Sequence, residues 1–214
     1  MRKSEDPIRL VVLDLDGTLT EHPSPWQYVH ERLGLWDRAS LHLDDFMAGK
    51  IDYHEFCQLD VEEWKPHSYK DVSDIVEEIK FKPESQEIMR ELAAHEDLHL
   101  MILSSGFEQV AYKLLRNCGI SNGRVKVTAQ RLIDDKGRVQ VDPFVILGDK
   151  MRDKRAHLQA YLEQHGLSLA DTVALDDKIE DERFFSGMRR VWHIQADGDL
   201  KEALSEILEN TKGK

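Results

Sequence analysis

Asp14 and Asp16 stand two residues apart where an apolar run breaks off, in Leu10-Val11-Val12-Leu13-Asp14-Leu15-Asp16-Gly17-Thr18-Leu19-Thr20. Carboxylates so close repel each other unless something cationic holds them, and a divalent metal with hard oxygen ligands does that well. The plain alternative is a strand end capped by a solvated Asp-Gly turn. That alternative needs only Asp-x-Asp-Gly, whereas the pattern here runs from Val11 to Thr20. Consecutive apolar residues bounded by a Gly turn predict a strand buried on both faces, as in a parallel sheet. In open α/β sheets ligands bind beyond the carboxyl ends of such strands, which is where these acids fall.

The elements that must position them follow from hydrophobic periodicity. Residues 20–81 show helical spacing and no period of two: Trp26 to Leu33, Leu41 to Met47, Tyr53 to Trp64 and Val72 to Ile79, broken at Gly34, Gly49 and Pro66. This predicts a compact helical insertion, and Trp26, Trp36 and Trp64 are read as its core. Pro83 is read as a first-turn proline opening a helix through Ala93. Leu98 to Leu103 then predicts a second buried strand, followed by a helix over 108–117 closed by Gly119. Val125 to Leu132 and Arg138 to Val141 predict a hairpin turning through Asp134-Asp135-Lys136-Gly137. A helix over 152–165, short strands at 173–175 and 190–194, and a helix over 199–210 complete the chain. Strands separated by helices predict an α/β fold, a doubly wound parallel sheet with right-handed crossovers.

Composition narrows the function. The 214 residues hold one sizeable domain plus an insertion, and a formal charge of −12 argues against nucleic acid or an anionic membrane as partner. Cys57 and Cys118 match no metal or redox spacing and are read as buried thiols in a reducing compartment. No apolar segment of signal-peptide or membrane-spanning length occurs, so the chain is expected to be cytoplasmic.

The stretch from Val11 to Thr20 resembles the first motif of the haloacid dehalogenase-like (HAD) phosphatase superfamily, and the resemblance implies three more motifs in order. Met101-Ile102-Leu103-Ser104-Ser105-Gly106-Phe107 is similar to the second, with Ser105 where phosphoserine-phosphatase-like members have Gly. It makes Ser104, Ser105 and Gly106 a phosphate site; the plain alternative is an N-cap serine. Lys154 best matches the third motif, a lone cation at a helix start, with Lys150, Arg152 and Arg155 as competitors. Leu175-Asp176-Asp177-Lys178-Ile179-Glu180-Asp181 resembles the fourth, with Asp176 in place of the family's usual Gly. Asp177 and Asp181 are its metal-site acids, while the role of Asp176 is left open, a helix N-cap being its plain alternative.

The resemblance implies a Rossmann-like core over residues 1–20 and 82–214 and a small helical cap over 21–81. It also implies Mg²⁺-dependent hydrolysis of a phosphate monoester through an aspartyl phosphate. Asp14 is then the nucleophile and Asp16 the acid and base. Asp14, the Asp16 carbonyl and Asp177 hold Mg²⁺, and Asp181 orients its waters. Thr18, Ser104 and Lys154 grip phosphoryl oxygens. The cap stretch Tyr53 to Asp60 contains no Arg to bind a substrate carboxylate as phosphoserine phosphatases do, so the partner expected is a small phosphorylated metabolite of open identity. His22 and Trp26 are the candidate cap-side substrate contacts. The alternatives are a phosphotransferase using the same aspartyl phosphate and a catalytically idle binding module; oligomeric state is left open.

Overall fold

The computed structural model describes residues 7–121, 123–147, 149, 152–179 and 181–211, so Lys150 and Glu180 lie outside the described residues. Strand β1 (Leu10–Leu13) is buried along its whole length. It pairs in parallel with β2 (His99–Phe107) on one side and β5 (Thr172–Asp176) on the other, Leu13 facing Ile102 and Leu175. Strands β3 (Lys126–Asp135), β4 (Arg138–Asp142) and β6 (Arg190–His193) complete the order β4-β3-β2-β1-β5-β6, in which only the β3–β4 pair is antiparallel. This is the doubly wound, Rossmann-like sheet expected from the sequence.

The continuous apolar run in β1 has a simple cause. Successive strand side chains point to opposite faces, and here both faces are covered. Val11 and Leu13 join Leu100, Ile102, Val173 and Leu175 in a cluster with helices α5 (Ser85–Ala94), α6 (Glu108–Cys118) and α9 (Asp199–Thr211). Leu10 and Val12 face the other way, onto α7 (Lys154–His165) and Phe184 of the short α8 (Glu182–Phe185).

Between β1 and β2 lie four helices, α1 (Pro25–Leu33), α2 (Trp36–Met47), α3 (Tyr53–Glu63) and α4 (Tyr69–Glu78). The Ser24 hydroxyl caps α1 with Pro25 in its first turn, and Gly34 ends it with φ 70°. Ser68 and Asp71 form a capping box on α4. The chain enters and leaves this insertion side by side, through a bridge between Thr20 and Phe81 and bonds from the Glu21 N–H to the Lys80 carbonyl and the Lys82 N–H to the Leu19 carbonyl, each 3.0 Å. Trp26 stacks on Trp64 at 5.4 Å and meets Phe107 of β2 at 4.8 Å, so the apolar core of the insertion is continuous with the face of the sheet. Trp36 is only half-buried.

Several boundaries differ from the sequence reading. Pro83 lies in a turn, and α5 starts at Ser85, whose buried hydroxyl donates to the Leu19 carbonyl at 2.7 Å. Helix α2 starts at Trp36, well before Leu41. β3 runs through Asp135, with Asp134 and Asp135 paired in the ladder, and the hairpin turns on Lys136 (φ 55°) and Gly137 (φ 85°) alone. Two consecutive residues at positive φ match the strand twist in a two-residue hairpin, and the Asp134 carboxylate accepts the Gly137 N–H at 2.6 Å. Both cysteines are free; Cys57 is buried, and burial pushes its thiol up to about 12, while Cys118 is half-buried. Among the described residues no helix is long and apolar enough to cross a membrane.

Lys136 carries a Cβ in the left-handed region. Lys136→Asn, whose short amide tolerates that region, is expected to raise stability by about 0.5 kcal/mol, and Lys136→Val to lower it by about 1 kcal/mol. Urea midpoints at constant slope measure both.

Candidate active site

Three strand ends and one helix start meet at a cavity of about 310 Å³ beyond the carboxyl edge of the sheet. β1 delivers Asp14 and Asp16, β2 delivers Ser104 and Ser105, β5 delivers Asp176 and Asp177, and the first residue of α7 delivers Lys154. The place is the one at which chain connections diverge to either side of β1, where α/β sheets open a crevice.

The Asp14 N–H donates to the Leu175 carbonyl at 2.9 Å and carries the ladder one residue beyond β1. The chain then turns sharply at Gly17 (φ 85°), where a Cβ would sit 2.5 Å from Asp177 Oδ2, so only glycine allows this approach. Thr18 is wholly buried. Its hydroxyl accepts the Asp177 N–H at 2.8 Å and lies 3.3 Å from Asp14 Oδ2 and 3.4 Å from Asp177 Oδ1. The resemblance has Thr18 grip phosphate; in the structure its hydroxyl ties the two carboxylates and their strands together.

Lys154 Nζ donates to Asp14 Oδ1 at 2.7 Å and lies 3.5 Å from Asp176 Oδ2. The competing cations among the described residues are occupied elsewhere: Arg152 pairs with Asp149, and Arg155 donates to the Phe184 and Ser186 carbonyls. Burial alone would depress the Lys154 ammonium, yet the charges of Asp14 and Asp176 outweigh it and raise its pKa.

The Asp16 carboxyl turns toward β2. Ser104 Oγ donates to Asp16 Oδ2 at 2.5 Å and accepts the Gly106 N–H at 2.8 Å. Gly106 therefore serves Ser104, and a Cβ on it would lie 2.0 Å from Asp16 Oδ2. The other oxygen, Asp16 Oδ1, is buried without a hydrogen-bond partner among the described residues. Burial first, and then the charge of Asp14, push the Asp16 carboxyl up to about 7. The same two causes raise Asp176 to about 7 and also raise Asp177.

Carboxylate oxygens of Asp14, Asp176 and Asp177 lie within 4.8 Å of one another. Such a cluster of hard oxygen donors fits a divalent cation of the Mg²⁺ type. The resemblance counts Asp181 among the metal-site acids and leaves Asp176 open. Asp181 does border the cavity, but its Oδ1 accepts the Phe184 N–H at 3.0 Å and caps α8. Asp176, the last residue of β5, points into the cluster, and its adjacency to Asp177 was the available signal.

His22 and Trp26 do not border the cavity. The His22 ring is held by the Ser24 backbone and lies 3.4 Å from Glu31. Trp26 is buried in the aromatic cluster and sends its indole N–H to the Ser105 carbonyl at 3.1 Å. Apolar residues the sequence had not singled out, Leu147, Phe184 and Phe185, line the wall instead.

A family model described as haloacid dehalogenase-like hydrolase matches residues 11–182. Among solved structures the fold is similar to a phosphoserine phosphatase captured as an analogue of its phospho-aspartyl intermediate, with TM-score 0.70, 21% identity and coverage of 97% of this chain and 100% of that one. It is also similar to a substrate-bound phosphoserine phosphatase, with TM-score 0.68, 21% identity and coverage of 95% and 98%. A probable phosphoserine phosphatase from Vibrio cholerae matches with TM-score 0.65 and 18% identity, over 100% of this chain and 71% of that one. A search of curated protein sequences found no match.

Between the ordinary carboxyl pKa of 3.8 and about 7, the folded metal-free protein binds more protons at Asp16 and Asp176 than the unfolded chain does. Their stabilisation is complete below the lower value and is lost as pH rises through the upper one. In EDTA the melting temperature should therefore fall from pH 5 to pH 8. Asp16→Asn should melt at least about 2 °C above wild type at pH 8, with a smaller gap at pH 5. Calorimetry at the two pH values measures this.

Proposed function

The chain belongs to the haloacid dehalogenase-like hydrolase family, and on that premise we propose that it hydrolyses the phosphate monoester of a small metabolite through an aspartyl phosphate on Asp14. The observation that carries this reading is the convergence of Asp14, Asp16, Ser104, Lys154 and Asp177 on one cavity from three strand ends and a helix start. Residues 1–20 and 82–214 form the catalytic core in this reading, and residues 21–81 the cap.

An Asp14 oxygen attacks phosphorus as the bond to the leaving oxygen breaks, and Asp16 gives its proton to that oxygen. Asp16, now a carboxylate, takes a proton from water; the water oxygen attacks phosphorus, the bond to Asp14 breaks, and phosphate and protonated Asp16 result. Burial among carboxylates supplies the neutral Asp16 that the first step needs. Ser104 orients that carboxyl. Lys154, bordering the cavity beside Asp14, offsets charge on the phosphoryl oxygens. Asp14, Asp177 and Asp176 would hold Mg²⁺, which when bound supplies further neutralisation of those oxygens.

Among the described residues the cations bordering the cavity are Lys154, already paired with two acids, and Lys178, with Leu147, Phe184 and Phe185 as the apolar wall. This supports a small phosphate ester over one that demands an arginine clamp.

Phosphate release from a panel of phosphorylated metabolites, with Mg²⁺ and with EDTA, tests the reading. Turnover should require Mg²⁺ and be abolished by Asp14→Asn. Asp16→Asn should lower kcat on alkyl phosphates by about 10²–10⁴-fold. No Mg²⁺-dependent release from any member, a generic aryl phosphate included, would overturn the reading.

A further inference from the structure

Two side chains of the helical insertion converge on one carbonyl of the site. The Trp26 indole N–H on α1 reaches the Ser105 oxygen at 3.1 Å, and the Tyr53 hydroxyl on α3 reaches the same oxygen at 3.3 Å. Both side chains are almost wholly buried. The direction of the Tyr53 proton is set from behind. Gln130, buried completely, is locked to Val145 by its Oε1 accepting the Val145 N–H at 3.0 Å and its Nε2 donating to the Val145 carbonyl at 2.5 Å. Its Nε2 also donates to the Tyr53 oxygen at 3.1 Å, which leaves the Tyr53 proton to the Ser105 carbonyl or the neighbouring Cys57 sulfur, and the carbonyl is the stronger acceptor.

The Ser105 carbonyl and the Gly106 N–H belong to one planar trans peptide and point in opposite directions. Fixing the carbonyl therefore aims the N–H, and the structure shows its target: Ser104 Oγ at 2.8 Å, which in turn donates to Asp16 Oδ2 at 2.5 Å. The peptide has no slack, because a Cβ on Gly106 would meet Asp16 Oδ2 at 2.0 Å on one side and Cγ of Pro25, the first residue of α1, at 2.8 Å.

We propose that Trp26 and Tyr53 are positioning residues that transmit the seating of the helical insertion to Asp16, through the Ser105–Gly106 peptide and the Ser104 hydroxyl. The catalytic consequence rests on the reading of Asp16 as the proton donor; the structural coupling does not. Neither side chain borders the cavity. Together they make the orientation of the acid depend on both α1 and α3 being docked on the core.

Tyr53→Phe and Trp26→Phe each delete one donor and keep an aromatic ring. Amide exchange followed by NMR on the metal-free protein should show the Gly106 N–H exchanging about tenfold faster in each variant, while the β1 amides, which report global stability, keep their protection. On an unactivated alkyl phosphate kcat should fall about tenfold or more while KM changes little. On dinitrophenyl phosphate, whose leaving group departs without a proton, the loss should be distinctly smaller. Unchanged Gly106 exchange in both variants, or equal losses on the two esters, would overturn the proposal, because donors that only satisfy a buried carbonyl would not single out the step that needs a proton. If the wild type hydrolyses neither ester, the phosphatase reading fails, and the Gly106 exchange still decides whether the coupling exists.

Discussion

Four carboxylates, those of Asp14, Asp16, Asp176 and Asp177, crowd the ends of two adjacent parallel strands around the ammonium of Lys154. Gathering like charges away from water is costly, and a protein meets that cost by protonating some, pairing others, or binding a cation. The first two responses are legible here, and the donor set fits the third. Asp16 and Asp176 are pushed toward neutrality by burial and by Asp14, Asp14 is paired with Lys154, and the Asp14–Asp176–Asp177 cluster is shaped for a hard divalent ion. Much of the surrounding structure serves to keep these groups together. The β1–β5 register brings Asp14 level with Asp176, Thr18 ties Asp14 to Asp177, and Asp153 caps α7 so that Lys154 starts the helix at the acids.

That crowding also dictates where side chains are forbidden. Among the described residues Gly17 and Gly106 are the two glycines whose added Cβ would run into carboxylates, at 2.5 and 2.0 Å. One lets the chain double back after Asp16 so that the Asp177 side chain fits beneath it. The other lets the β2 loop close on Asp16. The register shift between Leu103 and Phe107 releases Ser104 to Gly106 from the regular ladder, which frees their polar groups for the site.

The helical insertion is bound to this centre in two ways. Its aromatic core, through Trp26, Trp64 and Phe107, merges with the apolar face of the sheet, giving broad but non-directional attachment. Its two donors to the Ser105 carbonyl add direction at one point.

The sequence alone determined the layers and the strand ends. A continuous apolar run requires burial on both faces, helical periodicity between the strands requires crossovers, and acids at the end of such a run can fall only at the carboxyl edge of the sheet. Asp14, Asp16, Ser104, Ser105, Lys154, Asp177 and Asp181 all border the cavity for that reason. Only the tertiary structure decided how neighbours divide the work. Asp176 faces the acids while Asp181 caps α8, Thr18 binds carboxylates, Arg152 and Arg155 turn away where Lys154 turns in, and Trp26 reaches a backbone carbonyl behind the cavity wall. These choices rest on side-chain directions a few ångströms apart, set by register and by partners as near as 3 positions (Asp181 to Phe184) and as far as 159 (Thr18 to Asp177) in the chain. One-dimensional spacing encodes which strand end a residue occupies; which way its side chain points there is settled by the partners that folding brings against it.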